Sequence, residues 1–224
     1  ATELAKAGVS FEAAAELLWS GELPSEPPVW RAFQASARSW GAPRTSLEDL
    51  LLALPALVQR APDRHSRVRE VELSQGRQLI RSLALLVVPP AARRERGSIA
   101  ELLSGTAKAP AAAARRALDL ALVLLADHEL NASSFAARVA ASTDAHLLAC
   151  VTAALATLSG PRHGGASARV EALLDEAATL RRPLDVVERR AQRGDALPGF
   201  GHPLYPAGDP RAVPLLEEAR TLAG

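Results

Sequence analysis

A chain of 224 residues with a formal net charge of +1, 48% apolar and 23% charged residues is long enough for one large globular domain or two modest ones. That balance gives no reason to expect nucleic acid as a partner, and the single cysteine, Cys150, excludes an intramolecular disulfide and a cysteine-rich metal site. No apolar run is long enough to predict a membrane span and no signal-peptide pattern opens the chain, so a cytoplasmic protein is expected.

In chain order, Ser10 predicts the cap of a short amphipathic helix bearing Phe11, Ala14, Leu17 and Leu18, stopped by Gly21 and Pro24. Residues 28 to 40 carry Trp30, Phe33 and Trp40, and SLEDLLLALPALV at 46 to 58 reads as a helix kinked or broken at Pro55. Residues 69 to 88 are helical up to Pro89 and Pro90. Arg93, Arg94 and Arg96 then form a tight basic cluster that suits a solvated loop at least as well as a phosphate site. A helix from Ala111 reaches the polar break Asp127, His128 and Glu129. NASSFAARVAASTDAHLLACVTAALATL then predicts one long alanine-rich helix ended by Ser159, Gly160 and Pro161, with Cys150 a buried structural thiol and small residues suited to close helix packing or a subunit interface. SARVEALLDEAATLR and PLDVVERRAQRG give two more helices, the second with Pro183 near its first turn, and a last one runs from about Ala212 to Leu222. No convincing alternating β-branched run and no fixed repeat occur, so the fold class is all-α.

Residues 197 to 211, LPGFGHPLYPAGDPR, cannot be helical. Prolines 198, 203, 206 and 210 fix φ, and the glycines allow close backbone approach, so this is a shaped loop around His202. His65, in a polar stretch, reads as a surface residue, and His146 as a mid-helix structural or interface residue. The other three histidines interrupt helical runs at turn-rich boundaries: DHELNAS with His128, SGPRHGGAS with His163 and PGFGHP with His202. Three such positions suggest one site. A three-histidine metal centre is one reading, though HExxH is absent and the spacings are long; acid/base or hydrogen-bonding work on a carbonyl substrate is the other.

DHELNASSFAARVAAS, SGPRHGGAS and PGFGHPLYPAGDPRA resemble, in order and separation, the three signature segments of the citrate synthase family, and SFEAAAELLWSGELP resembles its early helix. The resemblance implies an acyltransferase that joins the methyl of acetyl-CoA to the keto carbon of oxaloacetate and hydrolyses the thioester, releasing citrate and CoA. It implies a large helical domain over residues 1–162 and the beginning of a small one over 163–224, a homodimer, and no metal or separate cofactor. By the same resemblance His163 donates to the thioester oxygen and His202 to the keto carbonyl. His128 and Arg211 bind oxaloacetate, Ser133 orients His163, and Pro198, Gly199, Phe200 and Gly201 border CoA.

Departures qualify this picture. Pro203 and Pro206 stand where the family often has basic residues for CoA phosphates, and Arg162 is the candidate to compensate. The family's aspartate base lies well downstream of the histidine loop and has no counterpart in these 224 residues. Together with a start at Ala1 and the lack of any methionine, this points to a segment of a longer protein or to a relative that has lost catalysis. The alternatives kept open are a non-catalytic citrate or acyl-CoA sensor, a 2-methylcitrate synthase and a citryl-CoA lyase.

Overall fold

The structure, a computed structural model, describes residues 1–33, 41–44, 46–107, 109–127, 129–201 and 205–223. Among the described residues there are eleven α-helices and no strand, the all-α architecture expected. They are α1 (Thr2–Lys6), α2 (Phe11–Ser20), α3 (Leu47–Gln59), α4 (Arg69–Val87), α5 (Ile99–Ser104), α6 (Ala111–Leu125), α7 (Ala132–Ala141), α8 (Leu147–Leu158), α9 (Ser167–Ala178), α10 (Asp185–Arg193) and α11 (Ala212–Ala223). No described helix is long and apolar enough to cross a membrane.

Local chemistry changes the sequence reading. Of the kink or break expected at Pro55, the break does not occur, since helix α3 continues through that residue. That residue faces solvent, where water can satisfy the carbonyl its missing N–H leaves unpaired. The predicted long alanine-rich helix is instead two helices, α7 and α8, which fold back on each other across residues 142 to 146. There Ser142 and Thr143 hydroxyls return to the carbonyls of Val139 and Ala140 at 2.7 Å, and Asp144 adopts φ 60°. His146 is therefore not mid-helix: its Nδ1 accepts the Ala149 amide at 3.1 Å and caps α8. Its ring meets that of the exposed His65 edge-on at 5.4 Å. Pro183 directly precedes Leu184, the N-cap of α10.

The main core collects Leu54, Leu57, Leu79, Leu85, Leu86, Val88, Ile99, Leu102 and Leu148 from α3, α4, α5 and α8 around Trp30 and Phe33. Each such side chain contributes roughly 1.5–3 kcal/mol by leaving water. A smaller cluster joins α1, α2 and α6 through Ala5, Ala14, Val123 and Leu124, and Leu215 of α11 packs onto it. Trp30 stacks on Trp19 and donates its Nε1–H to Glu16, whose carboxylate also receives Arg77 in bidentate fashion at 2.7 and 2.9 Å. That guanidinium holds the Glu16 carboxyl below its ordinary pKa.

Carboxylates also finish helices from a distance. Asp119 of α6 accepts the Phe11 amide at the start of α2, and Glu12 of α2 accepts the Ile99 amide at the start of α5 at 2.6 Å. Burial pushes both carboxyls above their ordinary range. Arg81 of α4, 1% exposed, donates to the carbonyls of Arg94, Arg96, Gly97 and Ser98 and so fixes the loop entering α5. Arg93 is likewise structural, donating to Leu85 and Val88 at the end of α4 and to Gly41. Cys150 is buried, with its Sγ near the Ala145 carbonyl at 3.4 Å.

Candidate active site

Helix α8 stops at Leu158, and the next residues turn so tightly that only glycine fits at two positions. A Cβ on Gly164 would lie 2.7 Å from Leu158, and one on Gly165 would lie 2.7 Å from the Ser159 carbonyl oxygen. The Gly165 amide donates to Gly160, and His163 itself sits between a donated N–H to Gly160 at 2.9 Å and an accepted N–H from Ala166 at 2.9 Å. The HGG sequence thus pins the backbone of His163 on both sides.

Its ring is pinned too. His163 Nε2 lies 2.9 Å from Ser133 Oγ, and Ser133 Oγ lies 2.8 Å from Asn131 Oδ1. Asn131 caps α7 by accepting the Ser134 amide with the same oxygen. Ser133 has one hydroxyl proton and two acceptors within reach, so its rotation selects the imidazole tautomer. If the proton goes to Asn131, Nε2 of a neutral His163 must carry hydrogen and Nδ1 is an acceptor. If it goes to His163, Nδ1 carries the hydrogen and can donate to a ligand oxygen. The HELNAS segment therefore supplies both the cap that starts α7 and the hydroxyl that aims His163.

In the 197 to 211 loop, Gly199 adopts φ 85° and a Cβ there would come within 3.1 Å of Val170, so this turn presses on α9. Pro198, Gly199, Phe200 and Gly201 line a cleft of about 500 Å³ together with Ala196, Leu197, Ala172, Arg169 and Arg190. Farther along, Arg211 is mostly buried and turned onto Asp209, with Nε and Nη2 at 2.9 and 2.6 Å from the two carboxylate oxygens, while its guanidinium lies 5.4 Å from the Tyr205 ring centroid. Asp209 raises the affinity of Arg211 for its proton, burial opposes this, and Asp127 adds to it.

The structure therefore joins Ser133 to His163 and gathers Pro198 through Gly201 in one cleft. Arg211 is held by its own turn. His128 and His202 lie outside the described residues. Arg162, the candidate for compensating Pro203 and Pro206, is exposed and does not line the cleft. Among the described residues no three His, Cys, Asp or Glu side chains stand together as a metal site. Asn131, Arg169 and Arg190 were not singled out from sequence. Asn131 was findable, since an asparagine before ASSFAARV is an N-cap signal, whereas the arginines look like any solvated helix face.

Helices alone, a histidine loop braced at the junction of two of them and a glycine-proline loop beside an arginine-lined cleft describe an all-helical protein with a polar site at helix ends. Residues 1–224 match the family described as citrate synthase, C-terminal domain. The chain belongs to the citrate synthase family. It is 31% identical over 234 residues to the citrate synthase of Haloferax volcanii, covering 91% of this chain and 61% of that one. It is 40% identical over 116 residues to the 2-methylcitrate synthase of Shewanella oneidensis, covering 52% of this chain and 31% of the relative. The crystal structure of citrate synthase from Thermotoga maritima superposes with a TM-score of 0.71 at 28% identity, covering 98% of this chain and 64% of that one. The 224 residues thus span less than two thirds of each of these relatives.

Proposed function

We propose that this chain carries the histidine-bearing part of a citrate synthase acting on acetyl-CoA and oxaloacetate. The observation that carries the reading is His163 held through Nε2 on Ser133, with the glycines that immobilise its loop. A thioester methyl is a weak carbon acid, so its deprotonation needs a donor on the thioester oxygen; His163 Nδ1–H, made available when Ser133 donates to Nε2, fills that role. The resulting enol carbon attacks the keto carbon of oxaloacetate. His202 delivers a proton to the developing alkoxide, and water then cleaves citryl-CoA to citrate and CoA. The carboxylate base of the family is assigned to no residue of this chain. Arg211 and His128 bind the dicarboxylate, with Asp209 fixing the orientation of the Arg211 fork, and the 198 to 201 loop borders CoA. No metal or separate cofactor enters this scheme.

A large unit over residues 1–162 and the start of a small one over 163–224 are supported by the way α9 and α10 pack on each other, through Arg190 and Glu176 at 2.8 Å, whereas α11 crosses that division to pack on α6. A homodimer fits α7, which buries none of its own residues and exposes Phe135 by 57% beside Val139. A cytoplasmic location agrees with one free cysteine.

The test is release of free CoA from acetyl-CoA and oxaloacetate by the full-length gene product. His163→Ala and His202→Ala should each lower turnover by roughly 10²- to 10³-fold with the helical content retained; unchanged turnover in both would overturn the roles given. The similarity to a 2-methylcitrate synthase favours propionyl-CoA as the competing donor, and the ratio of kcat/KM for the two thioesters decides between them.

A further inference from the structure

The cleft beside the PGFG turn has a charge pattern that the loop sequence alone does not predict. Pro203 and Pro206 offer no cation, and Arg162, exposed, does not line the cleft. Two other arginines line the cleft from separate helices: Arg169 in the first turn of α9 and Arg190 in the last turn of α10. Arg169 is exposed, but both guanidinium groups are tethered. Arg190 is three-quarters buried and held by Glu176 at 2.8 Å, while Arg169 donates Nη2–H to the Pro161 carbonyl at 3.0 Å. At the end of α10, Arg193 pairs with Asp195 at 2.8 Å. The described residues that line the cleft include two arginines and no carboxylate, and Glu176, outside that lining, pairs with Arg190. Phe200, 71% exposed, stands on the rim as an aromatic face.

We propose that Arg169 and Arg190 are the phosphate-binding residues of this cleft, taking the anionic end of CoA in place of the cations absent at positions 203 and 206, with Phe200 available to the adenine ring. This rests on the CoA reading above. The volume of about 500 Å³ suits a nucleotide moiety. Planar guanidinium groups anchored on one edge are preorganised for phosphate oxygens, which strengthens each contact relative to a free lysine. The Pro161 contact gives Arg169 a second consequence: the residue that takes a phosphate also touches the loop that carries His163.

The experiment is titration of the full-length protein with CoA, 3′-dephospho-CoA and pantetheine, followed by calorimetry. Arg169→Gln and Arg190→Gln should each weaken CoA binding by about tenfold or more, reduce its sensitivity to salt, and leave pantetheine binding unchanged. Arg162→Gln should behave as the unaltered protein. Arg190→Lys keeps the charge and guards against loss of fold when the Glu176 pair is removed; it should recover part of the lost affinity. Which variant loses the preference for CoA over 3′-dephospho-CoA identifies the arginine facing the 3′-phosphate. Wild-type CoA binding with both glutamine variants unaltered would overturn the assignment and leave the CoA reading standing. Failure of the unaltered protein to bind CoA would overturn that reading and this assignment with it.

Discussion

His163 and Ser133, thirty residues apart in sequence, meet at 2.9 Å between Nε2 and Oγ. Because the hydroxyl selects the tautomer of the ring, Ser133→Ala removes a direction and not only a contact. We expect kcat for CoA release to fall by about tenfold, the worth of one oriented hydrogen bond, with KM for acetyl-CoA little changed. Asn131→Ala removes the competing acceptor and the α7 cap together, so it should lower stability by about 1 kcal/mol. Steady-state kinetics of the first variant and urea denaturation of the second check these outcomes.

Gly165→Ala places a methyl 2.7 Å from one carbonyl oxygen and 2.9 Å from another, and both belong to backbone that cannot rotate away. A loss of about 1–3 kcal/mol is expected, accompanied by a shift of the His163 ring resonances in NMR. Gly201→Ala meets no atom within 4 Å but needs φ 78°, so its smaller penalty should appear without any change at His163.

Acid should loosen the α7–α8 turn. Desolvation, with His65, Arg64 and Arg67 adding to it, lowers the pKa of His146 beneath 6.5, and its Nδ1 must stay unprotonated to cap α8. The unfolded chain then binds the proton first as pH falls, so the stabilisation is complete above about 6.5 and is lost as pH drops from there toward the folded-state value. His146→Asn, which caps without titrating, should remove this part of the pH dependence. Chemical denaturation of both proteins at several pH values between 5 and 8 measures the difference. Equal slopes for the two would refute the cap as its origin.

Arg81→Leu should be among the most damaging single changes. It leaves four carbonyl oxygens in the 94 to 98 segment without their donor, and each buried group left unmet costs about 1–3 kcal/mol. Hydrogen exchange should show α5 opening first, and Arg93→Leu, which frees the carbonyls of Leu85, Val88 and Gly41 and leaves the loop entering α5 intact, should leave α5 protected.

Much of the helical order was legible in the sequence, because amphipathic runs such as 111–125 and 167–178 carry their own period and are bounded by proline, glycine or capping residues. The misread places are those where a few polar atoms outweigh composition. Alanine-rich sequence reads straight through residues 142 to 146, yet the hydroxyls of Ser142 and Thr143 and the ring of His146 end one helix and begin the next. Helices α1 and α5 are too short for a periodic signal. The histidine segments could be picked out as boundary residues, but the partners of His163 could not be ranked, since bringing residue 133 to residue 163 depends on the fold-back of α7 on α8. Arg169 and Arg190 meet only through the packing of α9 on α10 and the turn at Gly199.

The carboxylates that cap α2 and α5 give the chain an order of assembly. The amide of Phe11 waits for Asp119, 108 positions later, and the acceptor for Ile99 was made 87 positions before it. A nascent chain that has emerged only as far as α5 can satisfy the second bond but not the first. Docking of helix α2 in two stages is expected, with the N-terminal part open to protease on the ribosome until α6 arrives to close it.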